Sequence, residues 1–436
     1  MGRTVRDGRC TCLIEYAALP SQARFHRSQA RFKGFSGPIG SGKSRALCLE
    51  AIKLSYLNPG RAGLVGAPTY PMLRETTQAA LLEVLESNSI PYELHKSENV
   101  LVMKDTRSRI LFRSLEEYER LRGTNLAWFG VDELTYTSEE AWVRLEGRLR
   151  DPLAGRLCGF AVWTPNGHDW VYRRFIEKPV DGYEAIIARP MENRHLLDKI
   201  PDFYERLRHS YDERFYRQEV LGEYLSMNEG RVYHAFERAL HVRELEQDAG
   251  RPLLWALDFN VDPMCSLIAQ REGETVYVLD EIVLSRSSTW EAYGEFENRY
   301  PPAKEGLRVY ADASGRHAQT GGGTDLEILR KCLARGGYSR VDWRIPRRNP
   351  AVRDRVALVN ARLKSAAGEV RLYVSPKCRE LIRDFEEVTY KPGSGVIDKD
   401  RDPRRTHLAD ALGYLLWQEF GEPRGPVGEQ GKSLLG

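Results

Sequence analysis

The sequence has 436 residues, more than one hydrophobic core usually serves, so we expect two or three domains. Its 65 Lys and Arg residues nearly balance 62 Asp and Glu residues, which leaves a formal charge of +3. Any basic surface for nucleic acid must therefore be local. The seven scattered cysteines favour a reducing compartment, and no apolar run approaches the roughly 20 residues of a membrane helix. The composition argues against a secreted disulfide-rich protein and against a membrane protein, and it predicts a soluble, intracellular one.

The segment GFSGPIGSGKSRALCLEA, residues 34–51, contains the spacing G-x-x-x-x-G-K-[ST]. In this pattern, consecutive backbone N–H groups surround phosphate oxygens, the lysine neutralises the outer phosphates, and the serine hydroxyl binds Mg²⁺. The residues that would bind the nucleotide here are Gly37, Gly40, Ser41, Gly42, Lys43 and Ser44. The residues that follow predict a helix whose N-terminus points at the anion. A chance glycine-rich turn is the alternative.

A second motif, NLAWFGVDE at residues 125–133, supplies the acid that hydrolysis needs. Its apolar run predicts a buried strand of a parallel sheet, and α/β sheets bind ligands at the carboxyl ends of such strands. Asp132 would hold the Mg²⁺ ion. Glu133 would accept the proton of the attacking water. An acidic helix cap after a core strand is the alternative interpretation.

Other segments predict that these motifs lie in a doubly wound α/β domain. The further segments that resemble strands are 62–70, 109–115 and 157–166. They alternate with helical patterns, as in a P-loop NTPase domain of the ASCE type. Thr164 and Asn166 end the last of these strands, where a sensor of the γ-phosphate would lie. Upstream, Gln22 could hydrogen-bond an adenine edge, although an ordinary surface glutamine fits the residues almost as well.

From Pro252 onward the pattern is three strands joined by short turns, then a helix, a fourth strand and, near the C-terminus, an amphipathic helix. This order is the layout of a ribonuclease H-like nuclease fold. The first strand ends at Asp258, the fourth ends at Asp312, and the last helix contains Asp410. Because the first and fourth strands are neighbours in that fold, we expect these three carboxylates to converge.

The three carboxylates are expected to meet without a lysine or arginine among them, so they would repel one another until a divalent cation binds. Oxygen-only ligation suits Mg²⁺ or Mn²⁺, and two ions about 3.5–4 Å apart stabilise the cleavage of a phosphodiester. Taken singly, each aspartate fits a strand end or a turn, so the prediction rests on their order. Basic segments at 344–355 and 388–407 would contact DNA phosphates, or else form a solvated charged surface.

The predicted domain organisation has four parts. Residues 1–228 form the P-loop ATPase domain, with a small helical lid at about 190–228. An irregular, charged linker follows at 229–250, and the nuclease domain spans 251–420. The last residues, 421–436, are rich in Gly and Pro and are expected to be a disordered tail.

These motifs, in this order, resemble the large terminase subunit of tailed bacteriophages and related prophages. The similarity extends over nearly the whole chain, through LPSQARFHRS, GPIGSGKS, LRGTNLAWFGVDE, WTPNGHDW, RQEVLGEY, ALDFNVDP, YADAS and HLADALGY. The resemblance implies a motor that uses ATP to pump double-stranded DNA through a portal into a procapsid, and a nuclease that cuts concatemeric DNA. It also implies a ring, typically pentameric, a small terminase subunit that selects the DNA, and action in the cytoplasm of the infected host.

The resemblance also implies roles for particular residues. Residues 37–44 become the phosphate loop, Thr164 to Asn166 the coupling motif, and Gln22 the adenine contact. Asp132 becomes the Mg²⁺ ligand and Glu133 the catalytic glutamate. The three ligands of the nuclease metals become Asp258, Asp312 and Asp410.

The phosphate loop departs from the pattern of many relatives, which have a basic residue within it. Pro38, Ile39 and Ser41 fill the variable positions here, so an arginine must come from elsewhere to stabilise the charge of phosphoryl transfer. Arg122, in the loop before the acidic strand, is the candidate that the resemblance implies, acting on the ATP of a neighbouring subunit. Arg120 is an equal candidate.

Two other functions remain open from the sequence. One is a P-loop helicase or recombination ATPase whose second half has lost catalysis. The other is a DNA-docking subunit that keeps nucleotide only as a structural ligand. Metal-dependent cutting of plasmid would exclude the first, and ATP turnover would exclude the second.

Overall fold

A computed structural model describes residues 4–6, 9–11, 14, 16–121, 123–225, 230–259, 262–316, 324–391, 396–402 and 404–421. These residues form two compact units. The first contains the described residues up to 204 together with 217–225, and the second contains 205–216 with those from 230 onward. The segment predicted as a lid, about 190–228, therefore contributes residues to both units. Of the predicted tail, 422–436 lies outside the described residues.

The first unit contains an eight-stranded sheet and a separate antiparallel pair near the N-terminus. Its strands, in chain order, are β1 (Thr4–Arg6), β2 (Arg9–Thr11), β3 (Phe32–Ser36), β4 (Ala62–Ala67), β5 (Tyr92–His95), β6 (Val100–Met103), β7 (Arg109–Ser114), β8 (Trp128–Val131), β9 (Cys158–Trp163) and β10 (Tyr183–Ile187). The order in the large sheet is β10-β3-β9-β8-β4-β7-β6-β5. The six strands from β10 to β7 are parallel, and β6 and β5 extend one edge as antiparallel strands.

Helices cover both faces of this sheet. They are α1 (Pro20–Arg27), α2 (Lys43–Leu57), α3 (Tyr70–Met72), α4 (Ala79–Ser87), α5 (Glu139–Glu146), α6 (Trp170–Tyr172) and α7 (Arg194–Leu197). The next two helices in the chain, α8 (Phe203–Ser210) and α9 (Glu213–Glu219), lie mostly in the stretch 205–216 that belongs to the second unit. Neighbouring residues of β9 point to opposite faces: Val162 packs with the cluster that contains α2, and Trp163 packs with the cluster that contains Trp142 of α5. The predicted doubly wound α/β domain is confirmed.

The strand order places three functional loops side by side. β9 lies between β3 and β8, and all three strands are parallel. Their carboxyl ends therefore meet at one edge of the sheet. The phosphate loop follows β3, the Thr164 segment follows β9, and Asp132 follows β8.

The second unit contains a six-stranded sheet with helices on both faces. Its elements are α10 (Arg238–His241), β11 (Leu253–Asp258), β12 (Met264–Glu272), β13 (Thr275–Leu284), α11 (Thr289–Arg299), β14 (Leu307–Ala311), α12 (Asp325–Arg335), β15 (Val341–Arg344), α13 (Val352–Leu363), β16 (Leu372–Val374), α14 (Arg379–Glu387) and α15 (His407–Phe420). The order is β15-β14-β11-β12-β13-β16.

The ribonuclease H-like arrangement is confirmed by the pairing of these strands. β11, β12 and β13 form an antiparallel meander, and β14 pairs with β11 in parallel, with Leu257 opposite Ala311. α13, α14 and α15 pack in one buried cluster, and α11 and α12 pack in another, where Trp255 stacks on Phe296 at 3.9 Å. Within the described ranges, no helix is both long and apolar enough to cross a bilayer.

Candidate nucleotide and nuclease sites

The phosphate loop connects β3 to α2, and its backbone explains two of its glycines. Gly40 and Gly42 have φ angles of +76° and +80°, in the left-handed region that side chains other than glycine rarely adopt. Gly42 is also the N-cap of α2, so the free N–H groups of that helix face the loop. The loop is therefore shaped to present backbone donors to an anion.

The side chain of the lysine in the motif folds back onto the start of this loop. Lys43 is buried, and its ammonium group donates hydrogen bonds to the carbonyl oxygens of Gly37 and Pro38, each at 3.0 Å. Ser44, the next residue, is exposed. The positive charge is thus held by the loop itself, within reach of an anion that binds there.

Gln22 reaches the phosphate loop, as its predicted role requires, although the contacts of its amide are with the protein. Its Oε1 atom accepts a hydrogen bond from the backbone N–H of Leu19, and its Nε2 atom donates to the carbonyl of Gly42, both at 2.9 Å. The side chain therefore fixes the end of the loop against the start of α1. Its contact with adenine remains a prediction.

Two further side chains support the loop and were missed by sequence reasoning. Asn193 donates to the carbonyl of Gly40 at 2.6 Å, and the Tyr204 hydroxyl donates to the carbonyl of Ile39 at 3.1 Å. Both lie more than 150 residues away in the chain, in a region with no recognisable motif. They could be identified only from the folded structure, which brings them next to the phosphate loop.

The acidic pair ends β8 at the same edge of the sheet. Asp132 is buried, and its Oδ2 atom accepts a hydrogen bond from the Thr77 hydroxyl at 2.8 Å, while its Oδ1 atom has no hydrogen-bond partner among the described residues. Burial raises the pKa of Asp132, the negative charge of Glu133 adds to the rise, and Thr77 and Lys43 oppose it. A carboxylate oxygen buried in this way fits a magnesium ion.

The backbone of Glu133 is strained. Its φ and ψ angles are 49° and 53°, a left-handed conformation that costs a residue with a side chain about 1–3 kcal/mol. Its Oε2 atom is buried and, in the part of the chain that the structure describes, has no hydrogen-bond partner. Strain and an unsatisfied oxygen at one residue are typical of a functional site.

The Thr164 segment emerges between the phosphate loop and the acidic pair. Thr164 is buried and its carbonyl accepts a hydrogen bond from the Thr135 hydroxyl at 3.4 Å, while Asn166 is partly exposed. The structure therefore brings the predicted sensor to the predicted edge. Arg122 lies outside the described residues, and so does the side chain of Arg120.

The three predicted nuclease carboxylates come together in the second unit. Asp258 ends β11, Asp312 follows the neighbouring β14, and Asp410 lies in the first turn of α15. All three are buried. Burial raises the pKa of Asp258, the hydrogen bond from His407 opposes the rise, and the negative charges of Asp410 and Asp312 add to it. The carboxylates are thus within electrostatic reach of one another.

The prediction that no lysine or arginine lies among them was wrong. Arg355 and Lys399 each place a nitrogen 3.0 Å from Asp410, the first at Oδ1 and the second at Oδ2. Arg355, on α13, and Lys399 belong to the basic segments at 344–355 and 388–407, which the sequence predicts to contact DNA phosphates and not a carboxylate of the site. Within the described ranges, no three or more His, Cys, Asp or Glu side chains are placed so that together they could hold a metal ion. The donors are all carboxylate oxygens, which suits Mg²⁺ or Mn²⁺, but protein cations neutralise one of them.

Two more side chains complete this site. His407 Nδ1 lies 2.9 Å from Asp258 Oδ2, and Asn349 donates to Asp312 Oδ2 at 3.3 Å. His407 belongs to the HLAD motif, so its proximity to Asp410 could have indicated a role. Asn349 could not have been identified from the sequence, because it lies in a basic loop 37 residues after Asp312 and belongs to no recognisable motif.

Comparisons with known proteins agree with this arrangement. Residues 35–240 match the family model "Terminase large subunit, T4likevirus-type, N-terminal". The large terminase of a thermophilic bacteriophage has a similar fold, with a TM-score of 0.69 over 92% of this chain and 98% of its own, at 16% identity. Structures of that phage protein with ADP and with ATP-gamma-S match over the same shares at the same identity, with TM-scores of 0.69 and 0.68. Among curated proteins, no sequence is detectably similar.

Proposed function

We infer that this chain, which belongs to the large terminase family, is an ATP-driven motor that moves double-stranded viral DNA into a procapsid and a metal-dependent nuclease that cuts concatemeric DNA. The match over 35–240 and the fold shared over nearly the whole chain support the family. One observation carries the motor function. The phosphate loop, the Thr164 segment and the acidic pair leave three neighbouring parallel strands at one edge of the first sheet.

ATP hydrolysis is assigned to this edge. The loop N–H groups and Lys43 would bind the phosphates, and Ser44 and Asp132 would hold Mg²⁺, which would neutralise the phosphate oxygens. Glu133 accepts the proton of the attacking water. Thr164 and Asn166 follow the strand between these groups, which suits a sensor of the γ-phosphate. The structures of the phage terminase with ADP and ATP-gamma-S support nucleotide binding by this fold.

Cutting of DNA is assigned to Asp258, Asp312 and Asp410. These residues would hold two divalent cations, Mg²⁺ or Mn²⁺, which stabilise the attacking and leaving oxygens when bound. Lys399 has a half-exposed side chain, whereas that of Arg355 is buried. Lys399 would therefore be the contact that Asp410 gives up when it holds a cation, and Arg355 would keep its contact with Oδ1.

DNA is bound through its phosphates by arginines near this site. Arg347, Arg348, Arg401 and Arg404 are exposed, in the two basic segments that lie between Asp312 and Asp410 in the sequence. Contacts of this kind give affinity without sequence preference. Further partners that follow from the family are the portal protein, a small terminase subunit and other copies of this chain in a ring, expected to be pentameric. The site of action is the host cytoplasm, with transient attachment at the portal.

Arg122 is proposed as the arginine that stabilises charge during hydrolysis, donated to the ATP of the neighbouring subunit. The support is the sequence: no basic residue occupies the variable positions of the phosphate loop, and Arg122 precedes the acidic strand. Arg120 is the alternative.

Two assays on the purified protein test the proposal. Phosphate release in the presence of DNA measures ATP turnover, and conversion of supercoiled plasmid in Mn²⁺ measures cutting. We expect both activities. Turnover without cutting would favour a P-loop helicase or recombination ATPase, and the absence of both would favour a docking subunit.

A further inference from the structure

The hydroxyl group of Tyr224 joins two of the strands that form the nucleotide site. Its oxygen lies 2.6 Å from Ser36 Oγ and accepts a hydrogen bond from Trp163 Nε1 at 2.9 Å. Ser36 is the last residue of β3, directly before the phosphate loop. Trp163 is the last residue of β9, directly before Thr164. One side-chain oxygen therefore contacts the ends of both strands from which the nucleotide-binding loops emerge.

These contacts are buried and tightly held. Ser36 and Trp163 are fully buried, and burial raises the pKa of Tyr224 to about 12, so its hydroxyl stays neutral. The Tyr224 ring packs against Tyr172 of α6 with ring centroids 4.9 Å apart. Loss of the hydroxyl would leave two buried polar groups without this partner, which is costly. The three side chains are therefore expected to move together.

The segment that contains Tyr224 also lies against the phosphate loop. The backbone N–H of Ile39 donates to the carbonyl of Glu219 at 2.7 Å. At Gly222, whose φ is +69°, an added Cβ would lie 3.3 Å from Pro38 Cδ. Residues 217–225 thus contact the start of the phosphate loop at two points besides Tyr224. A change in the shape of the loop would therefore alter the contacts of this segment.

Residues 217–225 lie in the chain between two stretches of the second unit. Residues 217–225 belong to the first unit, yet 205–216 before them and the residues from 230 onward belong to the second. The chain therefore enters and leaves the nucleotide-binding unit through this segment. It is a covalent route by which the state of the phosphate loop can reach the second unit.

We propose that Tyr224 is a positioning residue that couples the nucleotide state of the phosphate loop and the Thr164 segment to residues 217–225. The inference rests on the proposed ATPase function. The Tyr224 hydroxyl ties the ends of β3 and β9 to residues 217–225, so that nucleotide binding shifts all three together. A side chain that only filled the core would stabilise the unit without transmitting this shift.

Hydrogen exchange of the full chain, with and without a non-hydrolysable ATP analogue and Mg²⁺, tests the proposal. In the wild type we expect the analogue to slow exchange in peptides that cover 37–44 and in those that cover 217–225. In Tyr224→Phe we expect the effect at 37–44 to remain and the effect at 217–225 to fall at least about tenfold, because the variant loses both hydrogen bonds of the Tyr224 hydroxyl. Tyr172→Phe is the matched control, because it alters the neighbouring ring and keeps both contacts of the Tyr224 hydroxyl.

The possible results are distinct. A wild-type response at 217–225 in Tyr224→Phe would overturn the coupling role, even if that variant is less stable. Loss of the response at 37–44 in Tyr224→Phe alone would also overturn it, because the residue would then support binding. No response at 37–44 in the wild type would instead refute nucleotide binding by the proposed site. If Tyr224→Phe fails to fold, Ser36→Ala removes one of the two contacts and is expected to reduce the response at 217–225 in the same direction.

Discussion

Glu50 is fully buried and holds together the two elements that lead into and out of the phosphate loop. It lies on α2 and pairs at 2.9 Å with Lys33 of β3, which is also fully buried. His26 Nδ1 lies 2.6 Å from its other oxygen. Burial opposes ionisation of Glu50, but the His26 hydrogen bond and the charges of Lys33 and Lys53 outweigh it and lower the pKa of Glu50 to about 2.

Glu50→Gln is therefore expected to destabilise the first unit by about 3–5 kcal/mol, because it leaves the Lys33 charge buried without its counter-ion. The lowered pKa of Glu50 shows that its charge is stabilised on balance, whereas burial lowers the pKa of Lys33 and its attraction to Glu50 only partly opposes that change. Since the pKa of Glu50 is lowered in the folded state, this stability is present above the unfolded pKa and is lost as the pH falls through about 2.

Urea-dependent hydrogen exchange of peptides from β3 and α2 measures the free energy of unfolding of this unit. Glu83→Gln, at an exposed position on α4, is the matched control and should change it by less than about 0.5 kcal/mol. Adding Lys33→Met to Glu50→Gln should recover a large part of the loss, since the buried charge is removed. A loss below about 1 kcal/mol for Glu50→Gln would refute the reasoning.

Three further predictions concern the two chemistries. Glu133→Gln should bind nucleotide normally and lose about 10²–10⁴-fold in phosphate release, because Gln keeps the shape and lacks the base; wild-type turnover would remove Glu133 from the mechanism. Asp258→Ala, Asp312→Ala and Asp410→Ala should each abolish plasmid cutting in Mn²⁺ and spare ATP hydrolysis, and wild-type cutting by two of them would exclude the triad. Arg122→Ala and Glu133→Gln, each inactive alone, should recover ATPase activity when mixed on portal-bearing procapsids, because one subunit lends its arginine to a neighbour with an intact glutamate. No recovery in mixed rings that are shown to assemble would exclude donation between subunits.

The parts of the site that the sequence predicted depend on short-range patterns. The phosphate loop is a spacing of glycines and a lysine, and the acidic pair ends an apolar run, so both are recognisable from a short stretch of sequence. The convergence of Asp258 and Asp312 followed from the order of elements in the second half, and the pairing of β11 with β14 confirmed the neighbouring strands.

What the sequence could not predict depends on contacts between distant segments. Arg355 reaches Asp410 from α13, and Asn193 reaches Gly40 from 153 residues away. β10 joins the sheet beside β3, although the sequence predicts no strand at its residues. Tyr224 was part of a motif, but its two hydrogen bonds depend on the strand ends that the fold brings beside it.

Packaging of DNA is the most direct test of the central claim. Wild-type protein would be mixed with ATP, linear double-stranded DNA and procapsids that contain the matching portal, and nuclease-protected DNA would be measured. We expect ATP-dependent protection in the wild type and none in Glu133→Gln, which binds nucleotide without hydrolysing it. Protection that is equal with and without ATP, or equal in the two proteins, would contradict the assignment of this chain as the packaging motor.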